Sequence, residues 1–216
     1  MSMEQRNYTT VDRILIGLDQ ALDTLLGKPH VTERPNPAAA LTEVELSPEQ
    51  KLRVARLLRV DHTGEVCAQA LYQGQALTAR LPAVRESMQR AAREESDHLD
   101  WCHTRLAELH NRRSLLNPIW YAGSFAIGAA AGLAGDKWSL GFIAETERQV
   151  CAHIDGHLRQ IPIADRKSRA ILEQMRKDEQ QHADVAVKGG GAPLPGPVKM
   201  AMRLTAKLMT KSTYWL

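Results

Sequence analysis

The sequence predicts an all-α chain, and three observations carry the prediction. Apolar residues recur at three- and four-residue intervals over long stretches, no strand-and-turn rhythm is visible, and aromatics make up only 5% of the residues with few β-branched runs. A length of 216 residues suits a single hydrophobic core.

Val11, Ile14, Leu15, Leu18, Leu22, Leu25 and Leu26 fall at helical spacing, which predicts an amphipathic helix over 10–26 that ends at Gly27. A Pro-rich linker follows, so 1–47 reads as an N-terminal helix and linker. Ser47-Pro48-Glu49-Gln50 offers an N-cap serine, a proline at the first helical position and a glutamine at the third, and a long helix runs from there to about Arg80. Pro82 opens the next, towards His110. The stretch from Ser114 to Gly135 then carries no charge. A second helical pair covers roughly 139–160 and 165–188, and Gly189-Gly190-Gly191 with the prolines at 193, 195 and 197 ends it. The remainder, 189–216, is a Gly/Pro linker and a last helix over about 198–211. Four long helices in two pairs, joined by one long crossover at 114–135, form a ferritin-like four-helix bundle over 48–188, with an extra amphipathic helix at the C-terminus.

The net charge of +3, without a basic stripe interleaved with aromatics in the body of the chain, argues against a nucleic-acid partner. Cys67, Cys102 and Cys151 are odd in number, far apart and in no C-x-x-C pairing, so a reducing compartment is expected. The N-terminus lacks the apolar stretch of a secretory signal, which places the expected location on the cytoplasmic side.

Glu95-x-x-His98 and Glu179-x-x-His182 each put a carboxylate and an imidazole on one helix face. A lone glutamate precedes each: Glu65 lies 30 residues before Glu95, and Glu147 lies 32 before Glu179. Folded back through a short turn, such spacings return each pair to nearly one height across a helical hairpin. One Glu from each of two helices and Glu-x-x-His from each of the other two is the pattern of di-iron and di-manganese carboxylate proteins. Two divalent cations would balance the four carboxylates, and the mixed oxygen and nitrogen donors suit iron or manganese. His153, six residues after Glu147, is either a donor to a ligand carboxylate or a simple core histidine, and Tyr72, two turns after Glu65, is either a site-facing phenol or a packed aromatic. His62, His103, His110 and His157 read as surface or cap residues.

The uncharged run of 22 residues from Ser114 is long enough to span a bilayer, yet a single span would put Glu65 and Glu95 on one side and Glu147 and Glu179 on the other. One shared site excludes that, so the segment returns on the same side, either packed on the bundle or lying in the membrane interface. In the last helix Lys199, Arg203, Lys207 and Lys211 recur every four residues against Val198, Ala201, Met202, Leu204, Leu208 and Met209, a basic amphipathic pattern suited to an anionic membrane surface or a partner helix.

At "RVDHTGEVCAQALYQGQ", together with Glu95-x-x-His98, Glu147 followed by His153, and "DEQQH", the sequence resembles the demethoxyubiquinone hydroxylase family of ubiquinone biosynthesis over about 48–187. The resemblance implies that Glu65, Glu95, His98, Glu147, Glu179 and His182 hold two iron ions per chain, with Glu147 preferred over Glu145 because of the histidine six residues on. It further implies a peripheral membrane monooxygenase at the cytoplasmic face of the cell membrane, hydroxylating the ring of a polyprenylated methoxy-methyl-benzoquinol with O₂. No dinucleotide fingerprint is visible, so electrons are expected from an external donor or a directly bound reductant. An accessory quinone-biosynthesis protein is a further candidate partner. The competing expectation is an iron-storage or peroxide-handling protein on the same scaffold, without a quinol substrate.

Overall fold

The structure, a computed structural model, describes residues 9–26 and 34–216, and among them forms seven helices and no strand. They are α1 (Thr10–Leu26), α2 (Pro48–Thr78), α3 (Pro82–Glu108), α4 (Asn117–Leu133), α5 (Asp136–Leu158), α6 (Arg166–Lys188) and α7 (Gly196–Thr213). The expected stop at Gly27, most of the linker after it, and the side chains of Val11 and Ile14 lie outside the described residues.

α2 begins as its sequence dictates. The Ser47 hydroxyl accepts from the Gln50 N–H at 3.2 Å while the Gln50 side chain accepts from the Ser47 N–H at 3.0 Å, a capping box with Pro48 just inside it. α3 has no side chain of its own at its start. Asp136, the first residue of α5, accepts instead from the N–H groups of Arg80 and Leu81 at 3.0 and 2.8 Å, which ties the α2–α3 turn to the start of α5. α6 starts on Asp165, whose carboxylate accepts from the Ser168 N–H and also takes the guanidinium of the fully buried Arg105 at 3.0 Å.

α2 pairs with α3 and α5 with α6, and the two hairpins meet along α3–α6 and α2–α5. Two apolar clusters fill the bundle. One holds Leu57, Leu58, Trp101, Leu106, Ile154, Ile171 and Met175, and the other holds Tyr72, Met88, Leu140, Ile143 and Ala186. On every bundle helix the glutamate and histidine positions fall between the stretches that feed these clusters, so any polar centre there is sleeved by apolar layers.

The crossover α4 lies on α2. A Cβ on Gly74 would come 2.4 Å from the Phe125 carbonyl oxygen, and one on Gly128 would come 2.3 Å from that of Leu71. Glycine at both positions is what lets the two backbones approach this closely. Of the two seatings expected for this segment, packing on the bundle is therefore realised, although Ile119, Ile127 and Leu133 remain exposed. No helix among the described residues is long and apolar enough to cross a membrane.

Candidate metal centre

Glu65 on α2, Glu95 and His98 on α3, Glu147 on α5, and Glu179 and His182 on α6 come together in the centre of the bundle, and all six are buried. They form two overlapping groups, Glu65–Glu95–His98–Glu179 and Glu95–Glu147–Glu179–His182, each with its ligand atoms within 4.8 Å of one another. The overlap has a definite geometry. Glu95 holds one oxygen 3.1 Å from His98 Nδ1 and the other 3.2 Å from His182 Nδ1. Glu179 does the same, at 3.2 Å from His98 Nδ1 and 3.1 Å from His182 Nδ1. Both carboxylates thus address both halves, while Glu65 serves the His98 half, 3.3 Å from its Nδ1, and Glu147 serves the His182 half.

The centre is electrostatically unfinished without cations. Burial and the neighbouring Glu95 push the Glu65 carboxyl well above the usual carboxylate range, and burial and Glu179 do the same to Glu147. Burial alone would also raise Glu95, but the adjacent His98 and His182 outweigh it and hold that carboxyl well below its ordinary value. Burial opposes charge on His98 and His182, yet the surrounding carboxylates raise both. Two carboxyls pushed towards the neutral form and two imidazoles pushed towards the charged form show a cavity that draws positive charge, which divalent cations would supply. One oxygen each of Glu95, Glu147 and Glu179 is buried without a hydrogen-bond partner, as expected where a cation is to be received. The donor set therefore fits a pair of divalent metal ions.

The outer nitrogens of the histidines are held by residues that the sequence reading missed. His98 Nε2 lies 2.9 Å from Asp178 and His182 Nε2 lies 2.7 Å from Glu94. Arg34, from the N-terminal segment, spans Asp97 at 2.6 Å and Asp178 at 2.9 Å, and its guanidinium covers the Trp101 ring. Asp178 and Glu94 each directly precede a glutamate of the centre, a visible cue, but nothing in the sequence pairs them across the bundle or with Arg34. Tyr72 faces the site: its hydroxyl donates to Glu147 at 2.6 Å, and its ring stands edge-on to His182. Glu145 points away and pairs with Lys199 at 3.3 Å.

Three of the remaining histidines, His153, His62 and His157, depart from expectation. His153 sits beside Asp61 and His157 rather than beside a carboxylate of the centre, because the six-residue step along α5 carries it over a turn and a half beyond Glu147. His62 and His157, expected at the surface, are buried. Burial, reinforced by Arg113 and His103, lowers His62 to about 3. His110 is exposed just beyond α3, in the left-handed region at φ 53°.

Fold and centre together define a ferritin-like helical bundle with a carboxylate–histidine core. A family model, that of the ubiquinone biosynthesis protein COQ7, matches residues 52–213. Proteins named 3-demethoxyubiquinol 3-hydroxylase are similar over nearly the whole length: that of Azotobacter vinelandii is 59% identical over 213 residues, covering 97% of this chain and 98% of the relative. Those of Stutzerimonas stutzeri and Pseudomonas aeruginosa are each 58% identical, over 210 and 209 residues, covering 97% of this chain and 98% and 97% of the relative respectively. The chain belongs to the COQ7 family.

Proposed function

We propose that this protein is a di-iron monooxygenase that hydroxylates the ring of a polyprenylated demethoxyubiquinol with O₂ in ubiquinone biosynthesis. The observation that carries the reading is the reach of Glu95 and Glu179 to both histidines in a chain 59% identical to a named hydroxylase. Those relatives favour hydroxylation over iron storage.

In this reading two iron ions per chain are held by Glu65, Glu95, His98, Glu147, Glu179 and His182, and when bound they supply the redox chemistry that activates O₂. The chain's own residues do the rest. Asp178 and Glu94 fix the rotation of the two imidazoles and keep Nδ1 of each turned inward. Tyr72 keeps its proton, since burial above all raises its phenol well above the ordinary value, and it anchors one oxygen of Glu147. An opening between α2, α3, α5 and α6, lined by Tyr72, Met88, Glu94, Ile143, His182 and Ala186, supports entry of the quinol ring beside the His182 half. Met88, Leu140, Ile143 and Ala186 give it an apolar side on which the ring would rest.

The protein acts in this proposal as a peripheral protein of the cell membrane on the cytoplasmic side, taking electrons from an external donor. Supporting this, Leu15, Leu18, Leu22 and Leu26 of α1, Ile119 of α4 and Leu204 and Leu208 of α7 are exposed, apolar side chains that a seat in the membrane interface would cover. An accessory protein of the same pathway would also find a docking surface there.

Mössbauer spectroscopy on iron-reconstituted protein before and after O₂, with mass analysis of demethoxyubiquinol, tests the proposal. Two coupled irons per chain and gain of one oxygen atom by the quinol are expected. A single uncoupled ion would overturn the metal assignment, and a coupled pair that leaves the quinol unchanged would overturn the substrate.

A further inference from the structure

We infer that Asp61, His153 and His157 form a second, separate cation site that takes one divalent first-row transition-metal ion such as Zn²⁺, Co²⁺ or Fe²⁺. None of the three belongs to the central set, and the inference does not depend on the hydroxylase reading.

His153 and His157 are four residues apart on α5 and so share a helix face; their rings stand 4.0 Å apart. Asp61 meets them from α2, one turn before Glu65. His157 Nδ1 lies 2.8 Å from Asp61 Oδ1 and 2.9 Å from Oδ2, and His153 Nε2 lies 3.8 Å from Oδ1. A metal bound at roughly 2.0–2.2 Å by imidazole and carboxylate ligands separates its ligand atoms by roughly 3–3.5 Å, so the His153–Asp61 separation of 3.8 Å needs to close by only a few tenths of an ångström. The three ligand atoms already lie within 4.8 Å of one another.

A simple Asp–His ion pair does not use up these atoms. Asp61 is 4% exposed, and its Oδ1 has no aligned hydrogen bond; neither has the buried Nε2 of His153. Buried polar atoms are normally paired, and two that face each other at 3.8 Å across a gap leave a vertex open between them. The central site shows the same signature: imidazole nitrogens about 3 Å from several carboxylate oxygens, with buried carboxylate oxygens lacking aligned hydrogen bonds. Two imidazoles and one carboxylate suit a borderline divalent ion. The side chain of His153 is one-third exposed, which gives an ion a way in and leaves a coordination position for water.

Cobalt titration of the metal-free full-length chain, read by visible absorption and by elemental analysis after desalting, tests the inference. The wild type is expected to hold one Co²⁺ more than His153→Gln or Asp61→Asn, and affinity for that ion is expected to fall at least about tenfold in each variant. The subtraction holds whatever the central site contains: in Glu95→Ala, where that site is broken, one cobalt should remain, and Glu95→Ala combined with His153→Gln should lose it. Failure of the central assignment would alter the total but not this difference of one. His153 is partly exposed, so its substitution preserves the fold even where that of Asp61 does not. Equal cobalt content and equal affinity in the wild type and His153→Gln would overturn the inference.

Discussion

His98 on α3 holds its Nε2 2.9 Å from Oδ2 of Asp178 on α6, the residue directly before Glu179. The relationship is reciprocal, since His182 on α6 is held at 2.7 Å by Glu94, the residue directly before Glu95 on α3. Each Glu-x-x-His helix therefore supplies both its own inward-facing pair and the outer carboxylate that sets the imidazole of the other helix. Removing such an outer partner commonly lowers metal affinity 10- to 100-fold. Asp178→Asn and Glu94→Gln should each weaken iron retention against a chelator by about that factor, with far-UV circular dichroism unchanged. Wild-type retention in both variants would show that the inner set suffices.

Glu147 offers a separation of metal binding from stability. In the metal-free chain burial and Glu179 push its carboxyl well above the usual carboxylate range, so an amide of the same shape replaces it with little change of charge. Glu147→Gln should melt close to the wild type when both are metal-free, and should lose much of the rise in Tm that iron gives the wild type, because only ligands that bind the folded state stabilise it. An iron-dependent rise equal to that of the wild type would remove Glu147 from the ligand set.

His62 gives the chain a defined weakness in acid. Its folded pKa is depressed to about 3 by burial, so its contribution to stability is fully present above the unfolded value of 6.5 and is lost as the pH falls below it. A cation held by the neighbouring Asp61 would act in the same direction. Between pH 7.5 and pH 5 the folded state should lose about 2 kcal/mol through this one group, at about 1.4 kcal/mol per unit below 6.5. Urea denaturation at the two pH values, compared between wild type and His62→Leu, isolates the effect; parallel losses in both would refute it.

The six central positions were legible because each constraint is local: Glu-x-x-His is one helix turn, and the 30- and 32-residue spacings are hairpin returns. The starts of α2 and α3 were legible from Ser47, Pro48 and Pro82 for the same reason. What was not legible depends on rotation between helices. Nothing in the sequence says that Asp61 faces His157, that Arg34 reaches Asp178, or that Arg105 is buried against Asp165, since each pairing needs the register of two separate elements. His62 was misread because a histidine among charged residues looks solvated until α3, with His103, is laid beside it.

The seat of α4 is a prediction about glycine. A Cβ at Gly128 would stand 2.3 Å from the Leu71 carbonyl oxygen and 2.9 Å from its Cα, and backbone cannot yield as a side chain can. Gly123, on the same helix, has nothing within 4 Å. Gly128→Ala should cost at least about 2 kcal/mol through forced separation of α2 and α4, whereas Gly123→Ala should be neutral or stabilising by up to about 1 kcal/mol from helix propensity. For a chain of this size the two variants should then differ in Tm by roughly 6 °C or more. Equal melting temperatures would mean that α4 is not seated on α2 in this way.

The last prediction concerns α7 and uses charge rather than truncation. Removing the helix would also remove Tyr214, which packs on the core and stacks with Arg56, and Leu216, whose carbonyl accepts from the Leu115 N–H, so a truncated chain would confuse lost charge with lost packing. Lys199 is already engaged by Glu145, which leaves Arg203, Lys207 and Lys211 exposed along one stripe beside Met200, Leu204 and Leu208. Each basic residue near an anionic surface is worth about 1 kcal/mol. The triple variant Arg203→Gln, Lys207→Gln, Lys211→Gln should therefore bind vesicles rich in phosphatidylserine about 100-fold more weakly, while its binding to neutral phosphatidylcholine vesicles stays at the wild-type level. Unchanged binding to the anionic vesicles would shift the membrane contact to the exposed leucines of α1 and the outer face of α4, whose attraction to lipid is apolar and insensitive to salt.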